Sequence, residues 1–323
     1  MIFPCPADLR NLLKYPLTLT LAFLNIFIFF VFFQETTEPW NKLTILEKDS
    51  LVLSGRLYYQ FSQTHPKIAK DLPPWLGGVD LKDEAQMEVL GALALRDGDF
   101  LKQSSEYKFS GDPIAIASWQ KEMKIFQDRY FSQALFRFGL SSIQKNSLAW
   151  FTYQFSHSGM VHLLSNMIFL LVMGFAVEAL VGSFGVLVIY LAGGLAGGLG
   201  FLLINGHGAI PMVGASAAVS ALLSFYCLAE PRRRVRYVYF ISPVQGQFGF
   251  IYLPTLLIIP FFLIADFGSL LATPEGLGGG VAYSAHIGGT LIGIVMAFAW
   301  RFLVASKKFD APASELKADI FNS

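Results

Sequence analysis

The run HSGMVHLLSNMIFLLVMGFAVEALVGSFGVLVIYLAGGLAGGLGFLLI, residues 157–204, decides the fold. Apart from Glu178 it contains no Asp, Glu, Lys or Arg. A helix needs roughly 20 mainly apolar residues to cross a bilayer, so this run holds two crossings, 160–181 and 184–204. Gly182-Ser183 is the short joint between them. Working outward, further apolar spans fall at 214–229, 249–267 and 282–304, and a first one at 17–33. That first span follows Arg10, Lys14 and Pro16 and could serve as a secretory signal. Gln34-Glu35-Thr36-Thr37 lacks the small-x-small pattern of a cleavage site, so a retained anchor is the better reading.

Composition agrees. Of 323 residues, 54% are apolar or aromatic, 15% are charged, and mean hydropathy is +0.51. A soluble domain carries about a quarter charged residues, so a water-soluble globule is excluded. A net charge of +1 with no basic stripe gives no case for a nucleic-acid partner. Cys5 and Cys227 are too few for a disulfide framework or a cysteine zinc site.

Residues 34–150 hold 29 of the 47 Asp, Glu, Lys and Arg residues, whereas 151–300 hold eight. The expected fold class is therefore all-α: a polytopic membrane protein of six helices with an extended insert after the first span. The expected layout is a start and first span over 1–33, a polar, mostly helical insert over 34–137, a five-span core over 138–305 and a tail over 306–323. Arg10, Lys14, the arginines of 232–236, Arg301, Lys307 and Lys308 lie on one side of this arrangement. The short links 205–213 and 268–281 carry no Lys or Arg. The positive-inside rule then puts both termini in the cytoplasm and the insert outside. No organelle-targeting presequence is evident, so a bacterial plasma membrane is expected.

Polar side chains in hydrocarbon are costly and mark function by default. Ser216 lies 14 residues before Glu230, and His286 lies 15 before Arg301. At 1.5 Å per residue both sit about 21–23 Å above the cytoplasmic boundary, and Asn166 comes out at about 24 Å. Three spans thus bring polar groups to one depth, in the outer half of the core. Small residues line the faces concerned: Ala217, Ser220, Ala221 and Ser224 on one helix, and Ala282, Ala285, Gly289 and Gly293 on the other. Such stripes let backbones approach closely, which a short serine needs to reach an imidazole. A neutral His286 could take the Ser216 hydroxyl proton and activate the oxygen as a nucleophile. His162 and Asn166, four apart on one face, together with the Ser216 backbone N–H, could stabilise an oxyanion. His157 falls in the segment entering that helix.

The plainer readings differ by residue. A Gly-x-Ser element in an Ala/Gly/Ser-rich span is usually a packing feature. Glu178 reads as structural, satisfied by backbone or loop donors, and Asp266 as a boundary residue. His65 reads as an ordinary surface residue, and His207 has no arguable role. No metal is expected, because no carboxylate or cysteine stands near the histidines at ligand spacing.

At these residues the chain resembles the rhomboid family of intramembrane serine proteases. The likeness covers about 138–300 plus the first span. It rests on the His-x4-His-x3-Asn pattern of His157, His162 and Asn166, on Glu178, on Gly214-Ala215-Ser216-Ala217, and on Ala285-His286 followed by Gly288-Gly289. It implies a Ser–His dyad without an acidic third member, Ser216 being the nucleophile and His286 the general base. His162 and Asn166 would serve the oxyanion hole, with His157 and Gly214 in the same cavity. It also implies membrane-anchored protein substrates, no cofactor, and a mobile cap and gate around 268–281 and the fifth span. Ala217 stands where many members have Gly. Ser220 stands where some have an aromatic stacked on the catalytic histidine, which bears on rate more than on reaction type. Two other functions compete: a catalytically silent relative that binds membrane clients, and a transporter whose polar groups line a path. Silent relatives typically lose the Ser or the His. A path would place polar groups through the whole thickness, not mainly in the outer half.

Overall fold

A computed structural model of the chain describes residues 2–4, 14–33, 48–65, 68, 80–143, 146–204, 208–232, 234–240, 248–257, 259, 260, 263, 264, 266, 268 and 282–309. His207 and nearly all of the expected cap over 268–281 lie outside these residues. The fold is mostly helical. Strand β1 is Ile2–Pro4. Helix α1, Pro16–Ile28, opens on a proline whose fixed φ suits a first helical position, and a π-helical turn, Phe29–Phe33, continues it.

Among the described residues the polar insert builds five helices: α2 Lys48–Thr64, α3 Glu84–Ala94, α4 Gly98–Gln103, α5 Pro113–Ser132 and α6 Ala134–Phe138. Three start for the same local reason: Asp83, Asp97 and Asp112 accept backbone N–H donors of the first turn that would otherwise lack partners. Phe61, Met87, Leu90, Phe100, Trp119 and Tyr130 are buried together in a core of their own. Two polar tethers cross this core, from Trp119 Nε1 to Ser54 Oγ at 2.8 Å and from the Tyr58 hydroxyl to Asp97 Oδ2 at 2.8 Å. Burial pushes the Asp97 carboxyl above its ordinary range, and the bonds from Phe100 N–H and Tyr58 hold it back. His65, read as a surface residue, stacks on Phe61 and bonds its carbonyl through Nδ1.

After the short helix α7, Ala149–Thr152, and a 3-10 turn at Tyr153–Phe155 comes α8, Met160–Ile204. It is two helices, broken at Gly182, whose φ of 73° and ψ of 174° are not helical. Each half has 22 residues, about 33 Å of rise, matched to about 30 Å of hydrocarbon. Helix α9, Ser216–Ala229, rises only about 21 Å because it starts at depth, after the loop 208–215. Helix α10 is Tyr283–Phe309. Among the described residues, α8 and Tyr283–Val304 of α10 are long and apolar enough to cross a membrane. Large apolar side chains point outward from them, Phe184 at 79% exposure and Phe302 at 75%. An apolar solvent accommodates such a surface.

Where α8, α9 and α10 meet, glycines bring backbone against backbone. A Cβ added at Gly200 would stand 2.7 Å from the Ser284 carbonyl oxygen, and one at Gly288 would stand 3.1 Å from Gly197 Cα. Gly193 faces Ala218 and Ala221, and Gly289 faces the Ala217 carbonyl. Such contact supplies the dispersion energy that holds helices together in lipid.

Glu178 anchors α1 to this bundle. Its carboxylate accepts from Leu17 N–H at 3.0 Å, Thr18 N–H at 2.8 Å, the Thr18 hydroxyl at 2.6 Å and the Ser183 hydroxyl at 2.6 Å. It satisfies the first N–H groups of a helix with a negative charge, in the favourable direction of the helix dipole. Glu178→Ala is expected to lower stability by about 2–4 kcal/mol, since several charge-assisted bonds leave buried donors behind. Reversible unfolding in detergent measures this; an unchanged midpoint would show that α1 is held by other contacts.

The all-α expectation needs one correction. Strands β2, Arg234–Phe240, and β3, Phe248–Pro254, form with β1 an antiparallel sheet of order β1-β2-β3. Ile2 pairs with Tyr239 and Arg234 with Pro254. The cause is legible in Arg234-Val235-Arg236-Tyr237-Val238-Tyr239-Phe240, where β-branched and aromatic residues recur with period two. The expected fifth span, 249–267, thereby loses 249–254 to a strand and Thr255–Leu257 to a 3-10 turn. The described residues between 259 and 268 are helical.

Candidate active site

Ser216 is delivered by a loop tied down along its length. Ala209 N–H donates to the Arg96 carbonyl at 2.7 Å, and the Tyr130 hydroxyl donates to the Ala209 carbonyl at 2.7 Å. Leu140 and Met212 exchange both backbone hydrogen bonds, at 2.9 and 2.7 Å. Gly214 N–H then donates to the Tyr153 carbonyl at 2.9 Å, while the Tyr153 hydroxyl reaches the Gly194 carbonyl at 2.6 Å. The insert, the 3-10 turn and α8 all hold the chain just before the serine. Gly214 has φ of 117°, a left-handed conformation that side chains disfavour. Two residues later α9 begins at Ser216.

His286 sits in the first turn of α10. Its Nε2 lies 2.8 Å from Ser216 Oγ, 70 residues away in sequence. The two groups expected to share a depth are therefore hydrogen-bonded. Ser220, one turn on, is turned elsewhere: its hydroxyl donates to the Ser216 carbonyl at 2.9 Å.

His162 and Asn166 converge on the same place. A Cβ on Gly214 would stand 2.8 Å from His162 Nε2 and 3.8 Å from Asn166 Nδ2. His162 Nδ1 is held by the Ser158 hydroxyl at 3.0 Å. Asn166 Nδ2 spends one proton on the His162 carbonyl, at 2.8 Å, which leaves its second available. His157 is fully buried, its ring 5.2 Å from that of His162 and steeply tilted to it.

One expectation is overturned. Asp266, read as a boundary residue, is 6% exposed, and its Oδ1 lies 3.1 Å from His286 Nδ1. A carboxylate in apolar surroundings is costly unless paired, and the helical segment that follows the 3-10 turn places this one against an imidazole. Tyr153 also went unnoticed as a support for Gly214; nothing in its spacing marks it, because the tie runs through a backbone carbonyl.

Residues 144–301 match the family model described as "Rhomboid domain". Over these residues the chain carries a rhomboid domain. Among curated proteins it is similar to "RHOMBOID-like protein 12, mitochondrial" of Arabidopsis thaliana, 31% identical over 165 residues, 46% of this chain and 44% of that protein. The chain thus spans less than half the length of that relative.

Proposed function

We propose that the protein is an intramembrane serine endopeptidase that cleaves membrane-anchored proteins, with Ser216 as nucleophile and His286 as general base. The observation that carries this reading is the 2.8 Å contact between Ser216 Oγ and His286 Nε2 in a chain with a rhomboid domain. With the Nε2 lone pair facing the hydroxyl, the Ser216 proton passes to His286 as Oγ attacks the substrate carbonyl carbon. The negative oxygen then faces the Ser216 N–H, His162 and Asn166. Collapse expels the leaving amine, which takes the proton from Nε2, and water hydrolyses the acyl-enzyme by the same route in reverse. Within this reading, six crossings, both termini in the cytoplasm, the insert on the opposite face and a bacterial plasma membrane complete the arrangement.

A fluorophosphonate probe tests the assignment. The label is expected to attach to the purified protein, to be lost in Ser216→Ala and to persist in Ser220→Ala, whose native hydroxyl is committed to a backbone carbonyl. Equal label in both variants would mean that the nucleophile is another residue. Absence of label, together with an uncut transmembrane substrate, would favour the catalytically silent client-binding protein.

A further inference from the structure

We infer that Asp266 is a positioning residue for His286, so that the reaction runs on a Ser–His pair with an acidic partner. This deepens the proposed function and rests on its assignment of Ser216 and His286. Three observations carry it. Asp266 Oδ1 is 3.1 Å from His286 Nδ1, on the side of the ring opposite Ser216, which occupies Nε2. Both side chains are largely withdrawn from solvent, His286 at 14% and Asp266 at 8% exposure. Asp266 Oδ2 is buried with no hydrogen-bond partner among the described residues, so Nδ1 is the partner that satisfies this side chain.

The chemistry follows from donor and acceptor roles. A carboxylate only accepts, so Nδ1 must carry the proton of a neutral His286. That tautomer leaves the Nε2 lone pair aimed at the Ser216 hydroxyl, as a general base requires. When the proton moves from Oγ to Nε2, the ring becomes an imidazolium, and the carboxylate beside it stabilises the new charge without itself taking a proton. The contact also fixes the plane of the ring, a role that Ser220 is too small to fill by stacking. The other titratable groups facing His286 among the described residues are His162 on α8, close enough to interact with it electrostatically, and Tyr283 on its own helix, ring to ring at 6.3 Å. Neither reaches Nδ1.

The test uses the full chain in proteoliposomes with a fluorogenic transmembrane substrate, measuring kcat and KM separately. In Asp266→Asn, kcat at pH 7 is expected to fall about 100-fold, within the range of general-base effects, with KM within about twofold. Asp266→Glu keeps a carboxylate acceptor for Nδ1 and is expected to recover kcat to at least about a tenth of wild type. Wild-type kcat in Asp266→Asn, with Ser216→Ala and His286→Ala both inactive, would overturn the role of Asp266 alone. Retained cleavage in Ser216→Ala would instead overturn the underlying active-site assignment. Where Asp266→Asn does not fold, the Glu variant decides: a folded Asp266→Glu protein as inactive as His286→Ala overturns the proposal, and partial kcat with KM within about twofold supports it.

Discussion

Replacing His286 with alanine is expected to reduce substrate turnover at least about 10³-fold while leaving the helical bundle intact. The imidazole is the only group within hydrogen-bond reach of Ser216 Oγ among the described residues, so its loss leaves an un-ionised hydroxyl as nucleophile. Removing one member of such a pair costs nearly all of what the pair supplies. The Ser216→Ala and His286→Ala double variant is therefore expected to be no slower than either single one. The fold should survive because α10 is held by Gly288, Gly289 and Gly293, which face α8 and α9 independently of the imidazole. Initial rates in proteoliposomes, read beside the unfolding temperature, check both halves. More than a tenth of wild-type turnover in a folded His286→Ala protein would remove the histidine from the mechanism.

Gly214→Val is expected to lower kcat about 10²- to 10³-fold, the range seen when an oxyanion-hole donor is lost. Two independent effects act at this position. The φ of 117° is one that residues with a Cβ rarely adopt. A Cβ there would also stand 2.8 Å from His162 Cε1 and Nε2, pushing the ring from its place beside Ser158. KM should change less than kcat, because in the proposed mechanism the displaced groups meet charge that develops only during reaction. Gly159→Ala is the control. Nothing lies within 4 Å of a Cβ at Gly159, and activity within about twofold of wild type is expected. Equal losses in both variants would point to general disruption of the segment entering α8.

The part of the site that follows from helical rise was readable before any coordinates. Ser216 and His286 lie at nearly equal distances from the charged residues Glu230 and Arg301, and a rise of 1.5 Å per residue turns that into equal depth. The joint at Gly182 was legible for a similar reason, since a mainly apolar run of 45 residues in one helix would overrun any bilayer. The sheet was missed because arginines near a span are ordinarily boundary markers, and that reading hid the period-two alternation of Arg234–Phe240. Asp266 was missed because its role depends on a contact across 20 residues of chain, which no helical count relates to His286. Tyr153 and Tyr130 escaped because they act through backbone carbonyls, for which sequence carries no signature. What sequence conveys well here is position along a helix axis; lateral neighbours are settled only by packing.

The glycine seams among α8, α9 and α10 have a mechanical meaning. Side chains are soft spacers, able to change rotamer when the lipid around a protein thins or stiffens. Main chain pressed on main chain has no such freedom, so mismatch with the bilayer is taken up by tilting the three helices as one block. The gap between hydroxyl and imidazole is thereby insulated from the thickness of the membrane that holds it.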